Sequence, residues 1–359
     1  MSVNKLFRNC LVSKGYGDTT DVMDIRVENG IISEVGSALS HSEHEVDMQE
    51  RLVIPGVVIP ELGLADSNFD EQVAMTAVAA VAGITCMIVP IDPLESRRES
   101  FNDPYVHLTY IAALTDDHVE HLDRIDPEGI VGVEIRKVDE MLLDEVFAWC
   151  KKHKRLVILH EAEVIVDNEL KENAELSPKS RLARAIEQKV EIHISAVSRA
   201  DLIQACRQLP VTLDVSIQAL EHDDALWNDL ANARIHMVTT NLFHEDQERQ
   251  YDSVQEPISW LYAAGVNRGH ISLMRMMELC ATNVAMRFGQ YPHKGALIPG
   301  ADADFTVLVA NEQWQPTGEL MLDKKTYKGQ VVETWLKGEQ VYRKQVGLNL
   351  KSKGSWLCH

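Results

Sequence analysis

Three residues at the ends of short apolar runs carry groups that hold metal ions or move protons. His160 closes the apolar part of "RLVILHEAE", Glu134 lies in "VGVEIRK", and Glu61 follows "RLVIPGVVIP". One imidazole and two carboxylates offer nitrogen and oxygen ligands to a cation such as zinc, or, without a metal, the parts of an acid–base pair. Zinc sites generally need three or four well-placed ligands, so this set is thin. His41 and His44 in "HSEHE" and His118 and His121 in "DDHVEHLD" are close enough to invite the same reading. Solvated loops account for both pairs better, because neither has a third ligand nearby in sequence. Asp302 and Asp304 in "GADAD" invite acid–base chemistry. "VAAVAGIT" is the end of a helix and not a phosphate-binding glycine loop.

The elements that must position these groups are legible from periodicity. Eight short, almost wholly apolar runs lie near 53–59, 84–90, 105–111, 130–136, 156–160, 190–195, 211–216 and 235–240. Helical patterns such as "DEQVAMTAVAAVAG" and "DEMLLDEVFAWCKKH" separate them. Strands buried on both faces and alternating with helices predict a (β/α)8 barrel over 55–293. Before and after it the texture is that of antiparallel strands, with hairpin turns at Asn29-Gly30 and Lys337-Gly338-Glu339. The expected organisation is an α/β chain: a TIM barrel, a small β-sandwich built from 1–54 and 294–349, and a C-terminal tail over 350–359. The methionines of "SLMRMMELC" follow helical spacing and read as core.

The chain has 359 residues, of which 45% are hydrophobic and 25% charged, with a formal net charge of -20. An acidic surface repels phosphate backbones and anionic lipid, so nucleic-acid and membrane-surface roles are disfavoured. The six cysteines, Cys10, Cys86, Cys150, Cys206, Cys280 and Cys358, are scattered, with no CxxC pair. Reduced thiols in a cytoplasmic protein are expected. No apolar run is long enough to span a bilayer, and "MSVNKLFRNC" has no apolar leader core.

Two stretches carry a resemblance. "SLMRMMELCATNVAMRFGQYPHKGALIPGADADFTVLV" (272–309) with "KGQVVETWLKGEQVYR" (328–343), and "RLVIPGVVIPELGLAD" with "TAVAAVAGITCMIVPIDP" (76–93), resemble the cyclic amidohydrolases, dihydroorotases most closely. The resemblance implies a metal-dependent hydrolase barrel that opens or closes cyclic amides at one or two zinc ions. It places Asp302 and Asp304 in the β module, away from the barrel mouth, where they support turns.

Position by position, the resemblance implies a dismantled site. Glu61, Gly63 and Ala65 stand where the family has two metal histidines and a carboxylate-gripping arginine. Asp92 stands at a substrate-binding asparagine, with a charge that opposes an anionic substrate. Glu134 stands at the bridging lysine, with Lys137 the alternative register. His160 is a retained metal ligand. In "IHISAVS", His193 matches a non-ligand histidine and Ala196 takes the place of a metal ligand. In "VTTNLFH", Thr240 stands at the aspartate that serves as general base and Asn241 at the next histidine, while His244 is kept. A hydroxyl does not replace a carboxylate as base near neutral pH.

No catalytic residue and no bound cofactor are therefore expected. The alternative is zinc held weakly by His160, Glu61 and Glu134. The expected function is that of a non-catalytic, dihydroorotase-like partner, in a homo- or hetero-oligomer, of the aspartate transcarbamoylase catalytic chain in pyrimidine biosynthesis. The competing reading is an active amidohydrolase with a mononuclear or absent metal site. A third is metabolite sensing at the emptied barrel mouth.

Overall fold

The computed structural model describes residues 4–15, 19–60, 69–94, 104–167, 175–240, 256–316 and 325–357. The first five strands, β1 (Lys5–Ser13), β2 (Thr20–Glu28), β3 (Ile31–Gly36), β4 (Glu45–Asp47) and β5 (Leu52–Pro55), belong to the β module. Eight parallel strands follow in the barrel: β6 (Val57–Pro60), β7 (Ile84–Ile91), β8 (His107–Thr115), β9 (Gly132–Lys137), β10 (Leu156–His160), then, after the short pair β11 (Val166–Asp167) and β12 (Glu175–Leu176), β13 (Ile192–Ser195), β14 (Val211–Ser216) and β15 (Met237–Thr239). The chain returns to the module with β16 (Phe305–Trp314), β17 (Tyr327–Leu336), β18 (Glu339–Arg343) and β19 (Gly347–Leu348).

The barrel strands are ordered as in the sequence, from β6 to β15, and Thr239 on β15 donates a 2.6 Å hydrogen bond to the Pro60 carbonyl on β6. Strand alternation sends two sets of side chains to opposite faces. Met87, Val133, Val157, Ile194 and Leu213 face the helices, within one apolar cluster. Val58, Cys86, Ile88, Ile111, Ile158 and Met237 form a second cluster together with Phe288. Because neighbours on a strand point oppositely, Glu134, flanked by Val133 and Ile135, shares the side of Ile158, its partner in register. His160, two residues beyond Ile158, points the same way.

In the module, both chain ends meet in one nine-stranded sheet whose central path runs β17-β16-β5-β1-β2. Its core centres on Phe7, Phe305 and Trp335, with Phe7 edge-on to the other two rings at 4.9 and 5.0 Å. The run near 53–59, expected as a single barrel strand, is two strands. Leu52–Pro55 pairs with β16 in the module, and Val57–Pro60 pairs with β7 in the barrel. Gly56 is the joint: a Cβ there would lie 2.4 Å from Thr85 Oγ1 and 2.8 Å from Asp304 Cβ. Only a residue without a side chain lets the two bodies approach so closely.

The methionine helix is as expected in its core face, where Met276 is fully buried, but it widens into a π-helical stretch over Glu278–Thr282. Among the described residues no helix is long and apolar enough to cross a membrane.

Candidate functional site

The C-terminal ends of the parallel strands bring together two of the residues singled out from sequence. Glu134 is fully buried, and its Oε1 lies 2.5 Å from His160 Nε2. Its other oxygen, Oε2, accepts from Arg136 Nε at 2.9 Å. The register that puts Glu134 inside leaves Lys137, the alternative, exposed at the strand end. The His160 side chain is 35% exposed, so the pair opens toward solvent at the imidazole.

A second layer holds the pair. Glu163 accepts the His160 backbone N–H at 3.2 Å and is itself gripped by Arg181 at 2.6 Å. Arg181 also reaches Glu140 and the Val138 carbonyl. Burial works against a charged His160, but the Glu134 hydrogen bond and the nearby charges of Glu134 and Glu163 outweigh it and raise the imidazole pKa above its ordinary value. Burial raises Glu163 above the usual carboxylate range despite Arg181. Neither Arg136, Glu163 nor Arg181 was singled out from sequence. Their signal was weak: they are ordinary surface-type residues until the strand register and the Arg181–Gln188 helix bring them beside His160.

Among the described residues, two further positions where the resembling family has a metal ligand or base carry neither, Ala196 and Thr240. Ala196 keeps a left-handed backbone (φ 57°), and its N–H donates to Asp214 Oδ1 at 2.8 Å, but it presents only a methyl group. His193, expected to be structural, is fully buried between Thr212 Oγ1 at 2.9 Å and Asp214 Oδ2 at 2.7 Å. Thr240 is buried, and its carbonyl accepts from Gln218. Glu61, Gly63, Ala65, Asn241 and His244 lie outside the described residues.

Asp92, expected at a substrate position, has its Oδ1 3.2 Å from Nε2 of His118, in the short helix Asp116–Val119 that follows β8. His118 Nδ1 lies 2.9 Å from Thr115 Oγ1. His118, expected in a solvated loop, lies in the short helix Asp116–Val119 and is largely buried. Asp92, Leu94, Asp117, His118, Glu120 and His121 line a cavity of about 430 Å³. Three of these six are carboxylates, so the cavity disfavours an anion.

Among the described residues one cluster of metal-ligand types converges, and it lies elsewhere. His107, Asp302 and Asp304 are buried together at the start of β8, the opposite end of the strands from His160. Lys294 Nζ sits between the carboxylates, 2.7 Å from Asp302 and 2.5 Å from Asp304. Burial alone would lower the Lys294 pKa and raise that of Asp304. The attraction between them prevails in both, holding the lysine up and the aspartate well below the usual range. Asp302 and Asp304, expected as turn supports in the β module, form the anionic half of a buried ion cluster between module and barrel floor, and Asp304 Oδ1 also accepts the Lys337 N–H of the hairpin turn at 2.8 Å.

The zinc centre of the family is therefore not matched by the described donors at the mouth. Among the described residues, His160 Nε2 is bonded to Glu134, whose other oxygen accepts from Arg136.

No family model matches the chain. Relatives with assigned activities do. The chain is 23% identical to a D-hydantoinase of Ralstonia pickettii, with 84% of each chain covered. It is 24% identical to a dihydroorotase of Methanosphaera stadtmanae, covering 84% of this chain and 86% of that one. Among solved structures, the L-hydantoinase (dihydropyrimidinase) of Arthrobacter aurescens superimposes with a TM-score of 0.81 at 19% identity, covering 99% of this chain and 100% of that one. The resemblance to the cyclic amidohydrolases read from the residues thus holds in sequence over most of the chain and in fold over nearly all of it.

Proposed function

We propose that this chain keeps the cyclic amidohydrolase barrel without its metal-dependent hydrolysis and acts as a non-catalytic partner in an assembly, with the aspartate transcarbamoylase catalytic chain of pyrimidine biosynthesis as the partner. The observation that carries the loss of chemistry is the Glu134–His160 pair. The Nε2 that would bind a metal is bonded to Glu134, and the second Glu134 oxygen is bonded to Arg136. A buried carboxylate satisfied by two cationic or donor groups is a stable structural unit. Thr240 and Ala196, at the positions of base and ligand, remove further chemistry. The partner rests on the resemblance alone. Its test is co-purification of the two chains at fixed stoichiometry, with loss of assembly when this chain is omitted. A chain that stays monomeric and ignores the transcarbamoylase sinks that assignment.

One observation favours a second reading. The His160 imidazole is partly open to solvent and has a pKa raised by a buried carboxylate, which is how a metal-free acid–base dyad is built. On that reading the substrate is a cyclic amide or imide, as the names of the hydantoinase and dihydroorotase relatives suggest. Ring opening of hydantoin, dihydrouracil or dihydroorotate that survives chelator treatment and disappears in His160→Gln would favour the dyad over the scaffold.

A further inference from the structure

The floor of the barrel has a gap in its sheet, and a segment of the same chain fills it. On one side β8 pairs with β7 from His107 onward. On the other side its pairing with β9 starts only at Ile111, opposite Gly132. Leu108 is left with a free N–H and carbonyl facing that side. Both are taken by residues far along the chain: Leu108 N–H donates to the Ser355 carbonyl at 3.1 Å, and Leu357 N–H donates to the Leu108 carbonyl at 2.9 Å. Trp356 and Leu108 form a parallel bridge. The segment Lys353–Leu357 is thus an added half-strand in the barrel sheet.

Its side chains fit alternating pockets, as an added strand requires. Trp356 packs on Tyr110 with ring centroids 5.4 Å apart, and Leu357 packs against the inner apolar cluster. Lys353 Nζ stands 3.8 Å over the Tyr105 ring, a cation–π contact. Gly354 lies against the chain: a Cβ there would be 2.0 Å from the Val106 carbonyl oxygen. Its N–H donates to the Pro104 carbonyl at 2.6 Å.

Ser355 makes the most selective contact. Its backbone N–H points at His107 Nδ1 at 3.1 Å, and its hydroxyl oxygen lies 3.0 Å from the same nitrogen. An N–H can donate only to an unprotonated nitrogen, so the docked segment requires the His107 tautomer with its proton on Nε2. That Nε2 is buried and faces Asp304 Oδ2 at 3.5 Å. The ion cluster of Lys294, Asp302 and Asp304 therefore sets the imidazole that receives the segment.

From this we infer that the unpaired edge of β8, with His107, Tyr105 and Tyr110, is a peptide-binding site of the β-augmentation type. Its ligand is an extended peptide reading Lys-Gly-Ser-Trp-Leu, and residues 353–357 occupy it in cis as a detachable strap. The specificity lies in three features: a glycine where Val106 allows no side chain, a hydroxyl beside His107 Nδ1, and an aromatic residue over Tyr110.

The test uses the full chain carrying Gly354→Val, read by amide hydrogen exchange. The expected result is that the Leu108 amide exchanges at least roughly tenfold faster than in the unmodified chain, while the amides of Met87, Ile88, Val89 and Ile91 keep their protection. A synthetic peptide spanning residues 351–357 then restores Leu108 protection in a saturable way, and the same peptide carrying valine in place of Gly354 does not. Unchanged Leu108 protection in the variant, or no rescue by the wild-type peptide, overturns the inference. A second measurement needs no variant: in the unmodified chain the Leu108 and Leu357 amides share one exchange rate, faster than that of Met87, Ile88, Val89 and Ile91. Exchange of all of them only with global unfolding contradicts a detachable strap.

Discussion

At the scale of single residues, the account turns on what Glu134 does. It is fully buried and satisfied by His160 and Arg136, so removing it strands two cationic side chains. Glu134→Ala is expected to lower stability by ~3 kcal/mol, in the range for breaking a buried pair from one side. His160→Ala should cost less, because the imidazole is partly solvated and Glu134 keeps Arg136. Urea unfolding of both variants checks the order. The pH dependence follows from the raised His160 pKa. A histidine whose folded pKa lies above its unfolded value stabilises fully below the unfolded value, near 6.5, and that contribution fades as pH rises through the folded pKa. The unmodified chain should therefore lose stability on going upward from about pH 6.5, and Glu134→Gln should flatten that slope. A slope unchanged in Glu134→Gln would mean the pair is not coupled as described. The thiols give an independent check on the core. Burial pushes Cys86, Cys150, Cys206 and Cys280 up to about 12. At pH 8 these four should resist alkylation by iodoacetamide in the folded chain and react only after unfolding. Rapid native labelling of any of them would contradict its burial.

At the scale of elements, the strands were legible and the joints between them were not. Runs such as "RLVILH" and "VEIHIS" announce strands buried on both faces, and β10 and β13 lie where they predict. The break at Gly56 was hidden because an apolar run reads the same whether it feeds one sheet or two. What divides it is a contact with Thr85 and Asp304, residues far away in sequence. Gly56→Ala should therefore destabilise by ~1–3 kcal/mol through overpacking, although its backbone angles suit any residue. Gly300, at φ +94° with open space around it, is the control. There alanine carries only the left-handed backbone penalty, about 1 kcal/mol. Thermal unfolding of the two variants should rank Gly56→Ala as the worse, and the reverse order would remove Gly56 as the joint. The site shows the same division. The type and face of His160 and Glu134 could be read from strand alternation, but their mutual hydrogen bond spans 26 positions and depends on the register between β9 and β10. Arg181, from a helix beyond β12, had no local pattern to mark it.

At the scale of the whole molecule, the proposed reading separates chemistry from cohesion. The strand ends that hold the metal in the resembling family carry alanine, threonine and a closed glutamate–histidine pair. A buried cluster of ionisable groups sits at the other end of β8, where Lys294 neutralises Asp302 and Asp304 and Asp304 also accepts from the Lys337 backbone. That cluster joins the module to the barrel floor, which is what a scaffold needs to keep. The measurement that tests this most directly is elemental analysis of the gently purified full chain, beside His160→Ala. A scaffold predicts metal well below one ion per chain, on the order of 0.1 or less, and no change in the variant, because too few free ligands remain at the mouth. One or two zinc or manganese ions per chain, lost in His160→Ala, would contradict it.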